Sequence, residues 1–115
     1  MSLIEVFKAL SHKNRIRIIN LIRQQNLCVC ELQHITGISQ SNASRHLNKL
    51  KQANIIYGKR DAQWVHYYIN TNFLDQHRFL QLLLKEELEQ VGNCREDNRR
   101  LKEYQESDLT CQDLR

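Results

Sequence analysis

The stretch from Ser39 to Gln52 carries one narrow apolar stripe in otherwise polar sequence, and this pattern constrains the fold more than any other feature. Ala43, Leu47 and Leu50 recur at i, i+4 and i+7, which is the spacing of one face of an α-helix. Ser39 stands before the stripe and has a hydroxyl suited to capping a helix N-terminus. The sequence therefore predicts a helix that rests on a core through three side chains and presents a polar face outward.

Shorter helices are predicted before this one. Apolar residues at helical spacing indicate a first helix near residues 3–10 and a second, capped by Ser11, that continues through Ile22. A third runs from about Cys30 to Thr36, and Gly37 supplies the permissive backbone of a turn. A short helix, a turn and a polar helix in this order are typical of a helix-turn-helix that reads the major groove of DNA.

The sequence period changes after Asn54. Residues 55–60 and 63–69 are rich in β-branched and aromatic side chains, so we expect a β-hairpin that forms a wing beside the polar helix. A long helix is predicted from Phe73 to about Val91. Its apolar surface is too broad for a small core, so we expect it to pack against a second copy of the chain. The predicted interface residues are Phe73, Phe79, Leu80, Leu83, Leu84 and Leu88.

Composition supports a mainly α fold, because the 115 residues include no proline and only three glycines. The formal net charge of +4 suits an acidic partner. The first residues do not resemble a signal peptide and no long apolar run is present, so we expect a cytoplasmic protein with reduced thiols and no membrane partner. We expect a DNA-binding and dimerisation domain at residues 1–93 and a charged, flexible tail at residues 94–115.

Cys28 and Cys30 stand two positions apart at the start of the predicted third helix. Thiols in a reducing compartment suit soft metal ions. In a regular helix these two side chains would point about 200° apart, so both can hold one ion only if the first turn is distorted. That distortion would couple ion binding to the DNA-reading helix. A helix N-terminus is also expected to lower the pKa of a thiol.

Together these motifs resemble the ArsR/SmtB family of winged-helix metal-responsive repressors. The resemblance covers roughly residues 5–90 and is carried by the stretches FKALS, RIRII, CVCEL, SQSNASRHLNKL and WVHYY. It implies a homodimeric repressor, and not an enzyme, that binds an imperfect palindrome in double-stranded promoter DNA. It also implies that an inducer releases the repressor from that DNA.

The side chains of the polar helix suit direct readout of bases. The amides of Gln40 and Asn42 have the geometry that pairs with adenine, and Arg45 suits guanine or phosphate. Cationic residues in the wing suit the DNA backbone or the minor groove. The predicted DNA-contacting set is Ser39, Gln40, Ser41, Asn42, Ser44, Arg45, His46, Lys59 and Arg60.

The resemblance is greatest to the arsenic-responsive branch, in which trivalent arsenic or antimony binds a trigonal all-sulfur site. It therefore implies arsenite or antimonite as inducer. That branch commonly has a third cysteine where this chain has Gln33. The expected third ligand is therefore Cys94, with Cys111 as the alternative.

Other readings stay open beside this one. Cadmium or lead is an alternative inducer, because one branch with that response uses a tail cysteine. A redox switch is another, in which Cys28 forms a disulfide with Cys94 or Cys111. Zinc sensing on the predicted dimer helix is disfavoured, because Asp75 and His77 have no second histidine near the end of that helix. A thiol enzyme is disfavoured because no base is placed to activate a thiol.

Overall fold

The computed structural model describes residues 3–114 and confirms the predicted mainly α fold with a winged helix-turn-helix. None of the helices within that range is both long enough and apolar enough to cross a membrane. The elements are α1 (Leu3–Leu10), α2 (Lys13–Ile22), α3 (Val29–Thr36), α4 (Gln40–Gln52), β1 (Ile56–Asp61), β2 (Trp64–Ile69), α5 (Thr71–Asp75), α6 (Arg78–Leu82), a π-helical turn (Leu83–Glu87), a 3-10 turn (Leu88–Gln90) and α7 (Gly92–Glu106).

The core lies where the apolar faces of the first four helices meet. Ala43, Leu47 and Leu50 on α4 are fully buried, which confirms the predicted stripe. They pack with buried residues of the other helices, among them Ile18 and Leu32. Burying a leucine side chain stabilises a fold by about 1.5–3 kcal/mol, so this stripe is sufficient to hold α4 in place.

The turn between α3 and α4 forms as the sequence predicts. Gly37 ends α3 with a left-handed backbone, φ 78°, which glycine adopts without steric cost. The Ser39 hydroxyl then caps α4 by accepting a hydrogen bond from the backbone N–H of Asn42 at 3.3 Å. The cap of α2 differs from the prediction, because His12 Nδ1 accepts from the N–H of Asn14 at 3.1 Å while Ser11 donates to the Phe7 carbonyl.

The wing is a two-stranded antiparallel hairpin in which Lys59 lies opposite His66. A side chain at Gly58 would come within 2.9 Å of Val65 Cγ1, so a larger residue there would force Val65 to move. The hairpin is also tied to the segment before α3, because the N–H of Tyr67 donates to the Leu27 carbonyl at 2.9 Å. The wing and the start of α3 therefore form one unit.

The prediction of one helix from Phe73 to Val91 is wrong. The chain bends at His77, whose backbone angles of φ −133° and ψ 86° are not helical, and later passes through a π turn and a 3-10 turn. These breaks direct apolar side chains into the core of the same protomer. Three of the predicted interface residues are buried in that core, namely Leu80, Leu84 and Leu88. The other three are partly buried against it, namely Phe73, Phe79 and Leu83.

Residues 94–106 also differ from the prediction of a flexible tail, because they lie in α7, which packs against α2 and α3. Leu101 and Tyr104 are buried in the shared core. Arg17 on α2 donates two hydrogen bonds to the buried carboxylate of Asp97, at 2.8 and 3.0 Å. Hydropathy missed this helix because few of its residues are apolar and part of its packing is an ion pair.

Candidate DNA-reading face and thiol cluster

The outward face of α4 carries most of the residues predicted to contact DNA. Ser39, Gln40, Ser41, Asn42 and Arg45 are exposed, and Ser44 is half-buried. Their opposite face is the buried stripe, so the helix is anchored while its polar side chains stay free to contact a partner. This is the arrangement that a helix needs to enter a major groove.

His46 differs from the prediction, because it is only 2 % exposed and lies on the inner side of α4. Its Nδ1 accepts a hydrogen bond from Arg15 Nε at 3.2 Å, and its ring centroid lies 4.3 Å from that of His12. Burial is the main cause that lowers the pKa of His46, and the nearby His12 and Arg15 lower it further. The sequence held a signal for this position, since His46 is three residues after Ala43 and falls on the same helical face.

The wing places the two predicted cations on β1. Lys59 and Arg60 are both exposed, and the turn beyond them has Ala62 in a left-handed conformation, φ 56°. The strand β1 packs against α4. The hairpin therefore adds an exposed cationic element next to the polar helix.

The second candidate site is a cluster of metal-binding side chains at the start of α3. Cys28 is the N-cap residue of that helix, with extended backbone, and its Sγ lies 3.0 Å from Cys111 Sγ. Cys111 Sγ lies 3.6 Å from His66 Nε2, which is 3.8 Å from Glu31 Oε1. The ligand atoms of these four residues all lie within 4.8 Å of one another. We refer to Cys28, Glu31, His66 and Cys111 as the thiol cluster.

The two other cysteines lie outside the thiol cluster. Cys30 lies in the first turn of α3 and is half-buried. Cys94, predicted as the third ligand, is fully buried on α7, and this burial, with the nearby Asp97 carboxylate, raises the pKa of its thiol. The structure instead brings Cys111, the alternative, to Cys28, because the chain folds back towards α3 after α7 ends.

The environment of the cluster favours neutral thiols while no ion is bound. Burial is the main cause that raises the pKa of Cys28 and of Cys111, and the Glu31 carboxylate also raises both. The Cys111 thiol and the backbone N–H of Glu31 lower the pKa of Cys28, so the helix N-terminus acts in the expected direction but is outweighed by burial. Glu31 itself is held by the backbone N–H of Cys28 at 3.0 Å and by the hydroxyl of Tyr104 at 2.5 Å.

Sequence reasoning missed Glu31 and His66 as members of the cluster. Glu31 had a local signal, because it is three residues after the N-cap Cys28 and its side chain can reach back to that residue. His66 had none, since it lies on β2 and only tertiary packing brings it to α3.

Comparison with known proteins identifies the fold and the family. The model for bacterial regulatory proteins of the arsR family matches residues 12–57. The chain spans about half the length of two curated relatives, ArsR1 and CadC, and more of a third, ArsR2. The arsenic resistance transcriptional regulator ArsR1 of Pseudomonas putida is 46% identical over 66 residues, which cover 56% of this chain and 52% of the relative. The arsenic resistance transcriptional regulator ArsR2 of the same species is 39% identical over 83 residues, which cover 70% of this chain and 72% of the relative. The cadmium resistance regulator CadC of Listeria innocua is 38% identical over 64 residues, which cover 55% of this chain and 54% of the relative.

A solved structure shows the same architecture. The homodimeric winged helix-turn-helix DNA-binding domain of Mb0332 from Mycobacterium bovis superposes with a TM-score of 0.62 at 25% identity, covering 78% of this chain and 84% of that one. The relatives named above are transcriptional regulators, which agrees with the DNA-binding regulator that the sequence predicts. This chain therefore belongs to the arsR family of bacterial regulatory proteins.

Proposed function

We propose that this chain acts in the cytoplasm as a homodimeric repressor on promoter DNA, and that trivalent arsenic or antimony releases it by binding a cysteine site at the start of α3. One observation carries the proposal: Cys28 caps the helix that precedes α4, and its Sγ lies 3.0 Å from the Sγ of Cys111. Two thiols are thus paired at the element that supports the DNA-reading helix. The names of ArsR1 and ArsR2, as arsenic resistance regulators, support the same inducer.

The DNA-contacting surface that we propose has two parts. The exposed face of α4 provides amide and guanidinium groups for base edges, with Gln40, Asn42 and Arg45 as the principal readers. Lys59 and Arg60 in the wing contact phosphates or the minor groove. His46 is not included, because it is buried and bonded to Arg15.

The arsenic site that we propose consists of Cys28, Cys111 and Cys30. Cys28 and Cys111 are already paired, and Cys30 supplies the third thiol after the first turn of α3 opens. Arsenous acid then forms three As–S bonds while three As–O bonds break. Each thiol proton leaves with a hydroxide as water, and arsenic stays trivalent. Cys94 is not included, because it is buried on α7 outside the thiol cluster.

Opening the first turn of α3 explains how the ion acts on DNA. Cys30 lies inside the helix while Cys28 lies at its cap, so one ion cannot bind both without distorting this turn. The other end of α3 is fixed by the Arg17 side chain, which donates to the Thr36 carbonyl at 2.8 Å. A distorted α3 therefore changes its packing on α4. A coupling of about 3 kcal/mol would weaken DNA binding by roughly 100-fold.

A dimer is supported by apolar residues that stay exposed near the chain's N-terminal helix. The Phe7 ring on α1 lies 5.1 Å from the Phe79 ring on α6, so these helices form adjacent parts of one surface. The solved relative Mb0332 is a homodimer. The exposed apolar residues of the surface proposed for dimerisation are Leu3, Ile4, Phe7 and Leu82.

Fluorescence anisotropy of the reduced protein on DNA from its own promoter tests this function. We expect arsenite and antimonite to release the protein, and cadmium or lead to do so only if the alternative inducer is correct. Cys28→Ser, Cys30→Ser and Cys111→Ser should bind DNA and ignore arsenite, whereas the matched control Cys94→Ser should respond as the native chain does. Release of native and Cys30→Ser protein at the same arsenite concentration would overturn the proposed site.

A thiol redox switch is a second candidate, and the 3.0 Å distance between Cys28 Sγ and Cys111 Sγ favours it. Hydrogen peroxide would oxidise the two thiols to one disulfide and be reduced to two molecules of water, which take up both thiol protons. In this case peroxide alone should release the DNA, Cys94→Ser should behave as the native chain, and Cys30→Ser should still respond. Retention of the DNA–protein complex after full oxidation of Cys28 and Cys111 would exclude this candidate.

A further inference from the structure

The thiol cluster contains two donors that a trivalent arsenic site does not use. His66 contributes an imidazole nitrogen, and Glu31 contributes a carboxylate oxygen. Sulfur, nitrogen and oxygen donors in one four-residue set are the ligands of Zn²⁺, which is bound by cysteine, histidine and acidic side chains in tetrahedral sites. Soft thiophilic ions, by contrast, prefer sulfur alone. The donor set therefore indicates a different ion from the proposed inducer.

The donor atoms lie close to the spacing around a tetrahedral ion, except that the two sulfurs, 3.0 Å apart, are nearer to each other than a bound ion would hold them. With metal–ligand bonds of about 2.0–2.3 Å, neighbouring ligand atoms of Zn²⁺ lie roughly 3.3–3.8 Å apart. The Sγ atoms of Cys28 and Cys111 are 3.0 Å apart, Cys111 Sγ and His66 Nε2 are 3.6 Å apart, and His66 Nε2 and Glu31 Oε1 are 3.8 Å apart. Small side-chain movements would therefore suffice to enclose one ion.

We propose that Cys28, Glu31, His66 and Cys111 form a four-ligand site for Zn²⁺ that fastens the wing and the C-terminal segment to the start of α3. Four protein ligands leave no open position for a reacting molecule, which is typical of a structural and not a catalytic zinc site. Ion binding here does not depend on the proposed repressor function. Any effect of the ion on the release of DNA rests on the proposed repressor function.

Neighbouring groups hold the carboxylate in position for this role. The Tyr104 hydroxyl donates to Glu31 Oε2 at 2.5 Å, while the other oxygen, Oε1, lies nearer to His66 and accepts from the Cys28 N–H. A carboxylate oxygen has two lone pairs, so Oε1 can keep this hydrogen bond and still bind an ion. Such outer contacts orient metal ligands and are part of a functioning site.

The site is also accessible from solvent. Cys28 and Glu31 are buried, but Cys111 and His66 are only partly buried. A cleft lined in part by Gln25, Glu31, Tyr104 and Cys111 leads to it. An ion can therefore enter beside Cys111 without unfolding of the core.

Three separate segments would be joined by the ion. Cys28 caps α3 and Glu31 lies in its first turn, Cys111 follows α7, and His66 lies on β2 directly opposite Lys59. The ion would thus fix the wing cation relative to the helix-turn-helix. Because Cys28 and Cys111 also belong to the proposed arsenic site, Zn²⁺ and arsenite would compete, and zinc-loaded protein should require more arsenite for release from DNA.

Metal binding to the reduced 115-residue chain tests the proposal. We would titrate the metal-free protein with Co²⁺ as an optical probe and then displace it with Zn²⁺. We expect one ion per chain, thiolate-to-cobalt charge-transfer absorption and the visible bands of a tetrahedral ion. We also expect Zn²⁺ to raise the melting temperature, because an ion bound only by the folded state stabilises it.

Variants distinguish this site from the proposed arsenic site. His66→Gln should weaken Zn²⁺ binding by at least ~10-fold, the lower bound found even for outer-shell changes, but leave arsenite binding intact. Cys30→Ser should abolish the arsenite response but leave Zn²⁺ binding intact. His34→Gln, which alters an exposed histidine of α3, should change neither Zn²⁺ binding nor arsenite binding. His66→Cys restores a ligand and should restore Zn²⁺ binding. Melting curves with a chelator present establish that each variant folds.

Two outcomes would overturn the zinc site. One is an unchanged Zn²⁺ affinity in folded His66→Gln protein, and the other is a loss of Zn²⁺ binding in Cys30→Ser that equals the loss in Cys111→Ser. Neither outcome bears on the arsenite response, which is measured separately on DNA. A failure of that response in the native chain would in turn leave the zinc result standing.

Discussion

The DNA-reading helix and the thiol cluster differ in how much of the chain is needed to build them. The α4 face is formed by one continuous stretch, and its buried and exposed positions follow from helical spacing. The thiol cluster takes residues from α3, β2 and the segment after α7, up to 83 positions apart. The first can be read from a periodic pattern, whereas the second exists only after the chain has folded. Substitutions in the two regions should therefore have separable effects.

Within α4, substitutions in the buried stripe should lower the free energy of unfolding the most. Leu47→Ala removes a fully buried side chain, and we expect the free energy of unfolding to fall by about 2–5 kcal/mol, as measured by urea denaturation. Lys51→Ala, on the exposed side of the same helix, should change it by less than about 0.5 kcal/mol. Equal losses in the two variants would mean that the stripe does not anchor α4.

The thiol cluster should depend on a hydrogen bond between distant segments. Tyr104→Phe removes the hydroxyl that donates to Glu31 Oε2 and leaves that buried oxygen without its partner. We expect the free energy of unfolding to fall by about 1–3 kcal/mol. The control Tyr57→Phe alters an exposed tyrosine and should have little effect. A native-like stability of Tyr104→Phe would show that this hydrogen bond adds little to the contact between α7 and α3.

The exposed face of α4 should affect DNA binding without affecting the thiols. Arg45→Ala should weaken binding to the specific promoter site by about 1–3 kcal/mol and relax its sequence preference, as measured by anisotropy on matched and altered DNA. Lys59→Ala should weaken binding to all DNA sequences alike. It should also reduce, by about one, the slope of the logarithm of the binding constant against the logarithm of the salt concentration. If Arg45→Ala weakened all sequences equally, Arg45 would be a phosphate contact.

The smallest effect should be a pH dependence of stability from His46. Its folded-state pKa is lowered by burial and by His12, Arg15 and Arg45, so the unfolded chain binds a proton at a higher pH than the folded chain does. Stability should therefore fall as pH drops below about 6.5, the ordinary histidine value. His46→Gln should remove part of this fall, measured as urea midpoints across that range, while His34→Gln should not. A steeper fall in His46→Gln would contradict the assigned direction.

The predictions that succeeded share a local cause. The α4 stripe, the Ser39 cap, the Gly37 turn and the hairpin each depend on residues within a few positions of one another. The single long helix predicted after Phe73 is wrong because the chain bends at His77, a break that helical spacing does not indicate. Leu80, Leu84 and Leu88, which follow the bend, are buried in the protomer's own core.

The cysteines illustrate the same limit at the candidate site. Sequence spacing singled out Cys28 and Cys30 as a pair, but the structure pairs Cys28 with Cys111 and leaves Cys30 in the first turn of α3. No spacing rule distinguishes Cys94 from Cys111 as a partner. The choice depends on the packing of α7, where the ion pair between Arg17 and Asp97 fixes the face on which Cys94 is buried.

Local sequence patterns were enough to predict the mainly α class, the helix-turn-helix, the wing and the resemblance to the arsR family, because periodicity, capping and turn residues act over short distances. Tertiary structure alone decided that His66 and Cys111 meet Cys28, that residues 92–106 are an ordered helix and that His46 forms part of the interior. These outcomes depend on which segments pack against one another and bury their surfaces. Contacts between distant segments leave no regular spacing in the sequence.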